Sequence, residues 1–298
     1  INAPDERVES GIRPNIVATV FGKDRSKTLW IMAHMDVVPE GDLSKWDSDP
    51  FKLKVDGDRL IGRGVEDNHQ GLVSGLLAVK AIRESALTPE INVSLALVAD
   101  EETGSIYGLE YLVKHHSDLF KKDDLIIVPD AGDTTGKMIE VSEKSVIWIK
   151  FSIAGKQCHA SMPEFGVNAH RAGAHLIVAL DRLHELFPAR DEVYDTPIST
   201  FEPTKKESNV PNVNTIPGED VFYLDCRILP IYSLEEVERE TKKIVDEIAA
   251  KFNVQIEMSY PLKERAAPPT QPDAPVVRLL SEAIRSVKNI EPEIIGIG

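Results

Sequence analysis

The sequence predicts an α/β protein, a mixed sheet flanked by helices, whose chain is interrupted by an inserted α+β domain. Up to Asp130, short apolar runs alternate with helix-spaced patterns. Beyond Ser145 the runs give way to strict apolar/polar alternation, and a Pro-rich stretch then leads into one last amphipathic segment.

The early runs cover residues 15–21, 29–33, 91–99 and 125–128, bounded by turn or charged residues, and read as strands buried on both faces. Between them, residues 71–84 repeat apolar side chains at three and four spacing (Leu72, Leu76, Val79, Ile82), and residues 107–116 do so more weakly. Such a sheet gathers its chemistry at the carboxyl ends of its strands. In the second half, residues 146–153, 221–228 and 254–258 alternate as half-solvated strands. Residues 168–186 and 233–252 read as helices, the latter opened by Ser233 with Glu236 three residues on, a capping-box pattern. Two helices and about four strands in that order suggest a split βαβ arrangement of ferredoxin type. The 266–275 stretch reads as a return linker and 274–287 as a helix back on the first domain. The expected division is therefore 1–144 with 263–298 for one domain and 145–262 for the insertion.

Composition bounds the partners. The 298 residues carry 34 Lys and Arg against 49 Asp and Glu, so a net charge of −15 opposes a phosphate backbone, and nucleic acid is not an expected partner. No apolar run approaches the roughly 20 residues that cross a bilayer, so no membrane partner is expected. With no leader-like opening either, the chain reads as cytoplasmic. Cys158 and Cys226 are too few and too far apart for a disulfide framework. The chain opens at Ile1 and stops at Gly298 inside an apolar, strand-like run, which suggests residues beyond both ends.

Four acidic or histidine clusters sit just past a strand or at a helix start. His34 and Asp36 follow the 29–33 run; at i and i+2 of an extended chain they point the same way, so one could bind a metal while the other fixes its tautomer. A single His-x-Asp is also a common surface pair. Gly62-Arg-Gly-Val-Glu-Asp67 superficially matches a dinucleotide fingerprint, but Asp67 replaces the third glycine and would repel a pyrophosphate; a metal-binding carboxylate at a Gly-flanked turn fits better. Asp100-Glu-Glu-Thr-Gly104 closes a buried strand. If it stays extended, Glu101 and Glu102 face opposite ways, one toward a metal and one toward water; a solvated acidic loop is the alternative. Asp130 follows Pro129. His, Asp and Glu without Cys suit hydrolytic zinc, and two such ions roughly 3.5–4 Å apart can activate water and polarise a carbonyl.

His34-Met-Asp-Val-Val-Pro39, Gly64-Val-Glu-Asp67, Asp100-Glu-Glu-Thr-Gly-Ser105 and Val128-Pro-Asp130 resemble, in order and spacing, the zinc aminoacylase and carboxypeptidase family, which includes succinyl-diaminopimelate desuccinylase, acetylornithine deacetylase, dipeptidases and glutamate carboxypeptidase. The resemblance covers nearly the whole chain. It implies a zinc-exopeptidase-like catalytic domain with an inserted lid and dimerisation domain, and two zinc ions, with cobalt or manganese as possible substitutes. His34 and Asp130 would bind one ion and Glu102 the other, with Asp67 bridging, Asp36 orienting His34, and Glu101 as general base. A cis peptide at Asp67–Asn68 is also implied.

Gly155-Lys-Gln-Cys-His-Ala-Ser-Met-Pro163 with Gly166-Val-Asn-Ala169 resembles the family's lid motif, so His159 would stabilise the oxyanion, often from the partner of a homodimer. Asn214 and Arg227 would hold the substrate carboxylate. On residue type alone Arg227 would more often be a structural ion-pair partner. The expected substrate is a small N-acyl amino acid, with dipeptidase or carboxypeptidase action on the same site as the alternative and a non-catalytic metal-binding protein as the rival outside enzymes. Two departures stand out. Asn68-His-Gln-Gly71 replaces the usual Lys-Gly after the bridging Asp, with His69 read as no ligand, and the family's last zinc-binding histidine would fall past Gly298. His115, His116, His170, His175 and His184 read as surface or packing residues.

Overall fold

A computed structural model describes Val8 and residues 10–298, so the first seven positions of the expected catalytic domain, and Glu9, lie outside the described residues. The chain forms two compact units. The first comprises the described residues up to 137 and residues 275–291, the second residues 138–274 and 292–298.

In the first unit, β1 (Ile16–Val20), β2 (Asp24–His34), β5 (Ile91–Val98) and β6 (Leu125–Ile127) form a mixed sheet in the order β1-β5-β2-β6. A small hairpin, β3 (Lys54–Asp56) with β4 (Arg59–Ile61), lies between β2 and α1 (Gly71–Glu84) in the chain. β2 runs parallel to both β5 and β6, while β1 is antiparallel to β5. Seven of the eight β5 residues are buried, which explains an unbroken apolar run in place of alternation. α1 approaches this sheet through Gly75, where a Cβ would sit 3.1 Å from Ile31 Cγ2 and Leu95 Cδ2, and Gly71 faces the Pro129 carbonyl even more closely. Larger residues there would push away the helix that follows the turn carrying Asp67. α2 (Leu109–His115) and α6 (Pro275–Lys288) complete the unit.

The second unit is built on the antiparallel sheet β10-β12-β8-β13, formed by β8 (Ser145–Ala154), β10 (Thr200–Lys206), β12 (Glu219–Ile228) and β13 (Gln255–Glu264). α3 (Ala169–Leu180) and α4 (Arg182–Leu186) follow β8, and α5 (Leu234–Phe252) follows β12, so the order is a split βαβ one. Burial alternates along β8 and β12. Ile147, Ile149, Phe151, Phe222 and Leu224 pack with Leu176 of α3 and Val237 and Ile244 of α5. The Ser233 side chain accepts the Glu236 N–H, a cap of about 1 kcal/mol.

The expected 168–186 helix is two helices, broken at Asp181. The unit boundaries also differ from 145 and 262. β7 (Met138–Glu143) pairs in parallel with β14 (Glu293–Ile297) in a separate two-stranded sheet, and Thr270 donates its N–H to Val141; these segments belong to the second unit. β9 (Cys158–His159) and β11 (Thr215–Ile216) form a further two-stranded pairing.

Candidate metal centre

Three parallel strands deliver the first unit's chemistry at their carboxyl ends. His34 is the last residue of β2, the 100–104 acidic turn follows β5, and Asp130 follows β6. Asp67 reaches the same place from the turn ahead of α1, and its peptide bond to Asn68 is cis, as the family resemblance implies.

His34 is buried and central. Nδ1 lies 2.9 Å from the Asp36 backbone oxygen, and Nε2 lies 2.9 Å from Asp67 Oδ1 and 3.8 Å from both Asp130 Oδ1 and Glu101 Oε2. A proton on Nδ1 satisfies the carbonyl and turns the Nε2 lone pair toward the acids. His34, Asp67 and Asp130 each offer a ligand atom within 4.8 Å of the other two.

Burial and like charge crowd the acids of this group around His34. Burial pushes the Glu101 carboxyl up, His34 opposes, and Asp130, Glu102 and Asp36 add to the rise. Glu102 is raised by burial and by Asp67, and Asp130 by burial and Asp67, each against the pull of His34. Burial alone would lower His34, but the Asp36 carbonyl and the charges of Asp130 and Glu101, with the Asp67 hydrogen bond, raise it. These acids repel one another, and a neutral Nε2 would face Asp67 acceptor to acceptor. A divalent cation relieves both conflicts, and this nitrogen and oxygen donor set fits zinc.

The acidic turn differs from the extended segment expected. Residues Glu101–Thr103 form a 3-10 turn between Asp100 (φ +66°) and Gly104 (φ +101°), which aims Glu101 toward His34. Glu102 stands outside the close ligand group, its Oε1 accepting the Val38 N–H at 3.2 Å. Asp36 also departs from expectation. Its backbone carbonyl, not its carboxylate, holds the His34 ring; the carboxylate lies 3.7 Å from Nδ1 and accepts the N–H groups of Glu101 and Glu102.

A bracket behind the turn had no sequence signal. Asn15 accepts the Ala99 N–H and donates to the Tyr107 carbonyl, and Arg13 lies 3.7 Å from buried Asp100. Both are single residues distant in sequence from what they hold.

The other expected site residues belong to the second unit. His159 and Asn214 are brought together on the β9–β11 pairing, with the Asn214 Nδ2 3.4 Å from His159 Nε2 and the Ala160 N–H on the Asn214 carbonyl. His159 Nδ1 lies 2.7 Å from Ser161 Oγ. Arg227 is on β12, paired with Asp225. His69 contacts the Met35 carbonyl. His115 packs on Tyr111, His175 on Phe252 and His184 on Phe201, while His170 meets Asp220. His116 lies 6.0 Å from the Tyr111 ring.

The sequence profile of Peptidase family M20/M25/M40 matches residues 30–298. An uncharacterized metallohydrolase of Methanocaldococcus jannaschii is 43% identical over 297 residues, covering 96% of this chain and 72% of that protein. The acetylornithine deacetylase of Arabidopsis thaliana is 31% identical over 249 residues, covering 79% and 54%. Among solved structures, an M20 family metallo-carboxypeptidase of Sulfolobus solfataricus shares the fold at a TM-score of 0.69 and 22% identity, covering 95% of this chain and 74% of that one.

Proposed function

The chain belongs to the peptidase M20/M25/M40 family, whose relatives are metallohydrolases acting on amide bonds, and from that premise we propose a two-zinc deacylase that releases a free amino acid from its N-acyl derivative. The convergence of His34, Asp67 and Asp130 beside Glu101 carries this reading, since ligands and a base then share one strand-end cluster. The acetylornithine deacetylase at 31% identity supports the deacylase branch.

Bound zinc would supply a Lewis acid for the scissile carbonyl and acidify water beside it. His34, Asp67, Asp130 and Glu102 would hold the ions. Glu101 takes the proton from water as that oxygen adds to the carbonyl carbon. It returns the proton to the amide nitrogen as the C–N bond breaks, leaving a carboxylic acid and a free amine. A carboxyl raised by burial is suited to both transfers. His159 donates a hydrogen bond to the carbonyl oxygen, and Asn214 and the Arg227 guanidinium hold the substrate carboxylate. The second unit supplies the dimer contact.

Turnover of N-acetylornithine, N-succinyl-diaminopimelate and a set of dipeptides by the zinc-loaded protein tests this. Deacylation of one N-acyl amino acid above the dipeptides is the expected result; inactivity on every compound overturns it.

A further inference from the structure

Arg227 lies on β12 two residues beyond Asp225, on the sheet face turned away from the helices. Phe222, Leu224, Cys226 and Ile228 are buried, whereas Tyr223, Asp225 and Arg227 alternate with them and stay partly exposed. Asp225 grips the guanidinium from the side, with Nε donating to Oδ1 at 2.8 Å and Nη2 to Oδ2 at 3.3 Å. Directly across on β8, Trp148 is the register partner of Asp225, and its indole Nε1 donates to Oδ2 at 2.7 Å. The carboxylate is thus fixed by one neighbour and fixes the other.

A guanidinium has five N–H groups, and Asp225 takes two. Of the remaining three, one on each Nη lies along the outer Nη1/Nη2 edge and the third points to the Cδ side, and no described residue accepts from them. That outer edge is the fork that meets a carboxylate through two parallel hydrogen bonds. An arginine otherwise spreads over many rotamers, and ordering it carries an entropic cost. Pinning it beforehand removes much of that cost from substrate binding.

We propose that Trp148 and Asp225 are positioning residues that aim the outer edge of Arg227 at the substrate's free carboxylate, so that the protein recognises the acid and discriminates against the carboxamide. This rests on the assignment of Arg227 above. A purely structural ion pair would serve the sheet but leave acid-over-amide selectivity untouched.

The test uses the best-turned-over N-acetyl amino acid and its carboxamide, with the zinc-loaded full-length protein. It reads the ratio of the carboxamide KM to the acid KM, and again without turnover the ratio of dissociation constants for the product amino acid and its amide. Asp225→Asn removes the charge and one acceptor, and Trp148→Phe removes the indole N–H while keeping a smaller aromatic ring at a partly exposed position. The expected loss of discrimination is about tenfold for Asp225→Asn and about threefold for Trp148→Phe, carried by the acid's KM with kcat little changed. Arg227→Lys serves as the reference. If it abolishes discrimination while Asp225→Asn and Trp148→Phe keep the native ratio, the positioning proposal is overturned and the Arg227 assignment stands. If Arg227→Lys itself leaves the ratio unchanged, both fall.

Discussion

Asp36 Oδ1 accepts the backbone N–H of Glu101 at 3.1 Å, and its second oxygen accepts that of Glu102 at the same distance. One carboxylate therefore sets the start of the turn carrying the proposed base, while its own main-chain oxygen holds the His34 ring. Asp36→Ala frees both N–H groups without touching the ring's carbonyl partner. A base displaced by about 1 Å costs on the order of 10²-fold in rate, so steady-state kinetics should show kcat falling by about that factor, with zinc affinity through His34 largely kept. A variant within twofold of the native kcat would remove Asp36 from this role.

Glu101→Gln keeps the size of the side chain and removes its basicity. The loss expected for a general base is about 10²–10⁴-fold in kcat. Zinc content, read by mass spectrometry, should stay at the native level, because His34, Asp67 and Asp130 are untouched. Native-like hydrolysis by the variant would show that another group moves the proton.

The raised carboxyls of Glu101, Glu102 and Asp130 and the raised His34 give metal binding a definite pH dependence. All four hold protons more tightly in the metal-free fold than in the unfolded chain. Their contribution to stability is present below the ordinary values, 3.8 and 4.5 for the acids and 6.5 for His34, and is lost as pH rises through the elevated folded values. Zinc must displace those protons. The difference in Tm between zinc-loaded and chelator-treated protein should therefore widen from about pH 5 to pH 8. A difference that is flat with pH would contradict the clustered, proton-retaining site.

Buried Asp220 in the second unit collects Lys206, His170 and Asn209, and Gly173 leaves room for it: a Cβ there would lie 2.3 Å from the carboxylate oxygen. Gly173→Ala should destabilise by about 1–3 kcal/mol through overpacking. Asp220→Ala should cost roughly 3 kcal/mol, since it strands partly exposed Lys206 and buries an emptied site. Urea unfolding checks both, and two variants as stable as the native protein would show that the cluster is not structural.

The sheet and the convergence of His34, Asp67 and Asp130 in the candidate centre were legible because two signals coincided at each element. β5 is an apolar run ending in acids, and β2 is one ending in His34, so element and chemistry are read together. β10 was harder to place: it is an edge strand with mostly exposed residues and Pro203 inside, so burial imposes no alternation on it. The break at Asp181 lies within a continuous apolar pattern, and the second unit's hold on residues 292–298 arises from long-range pairing with β7. Local pattern carries neither. The role of the Asp36 carboxylate was hidden for a different reason. Spacing tells that His34 and Asp36 share a side of an extended chain, but not that the N–H groups of a turn 65 residues away compete for the carboxylate.

Anomalous diffraction at the zinc absorption edge from crystals of the zinc-loaded full-length protein tests the centre most directly. A peak should appear about 2.0–2.2 Å from His34 Nε2 and from oxygens of Asp67 and Asp130, with a second on the Glu102 side of Asp67. Zinc density elsewhere, or none near His34, would contradict the account.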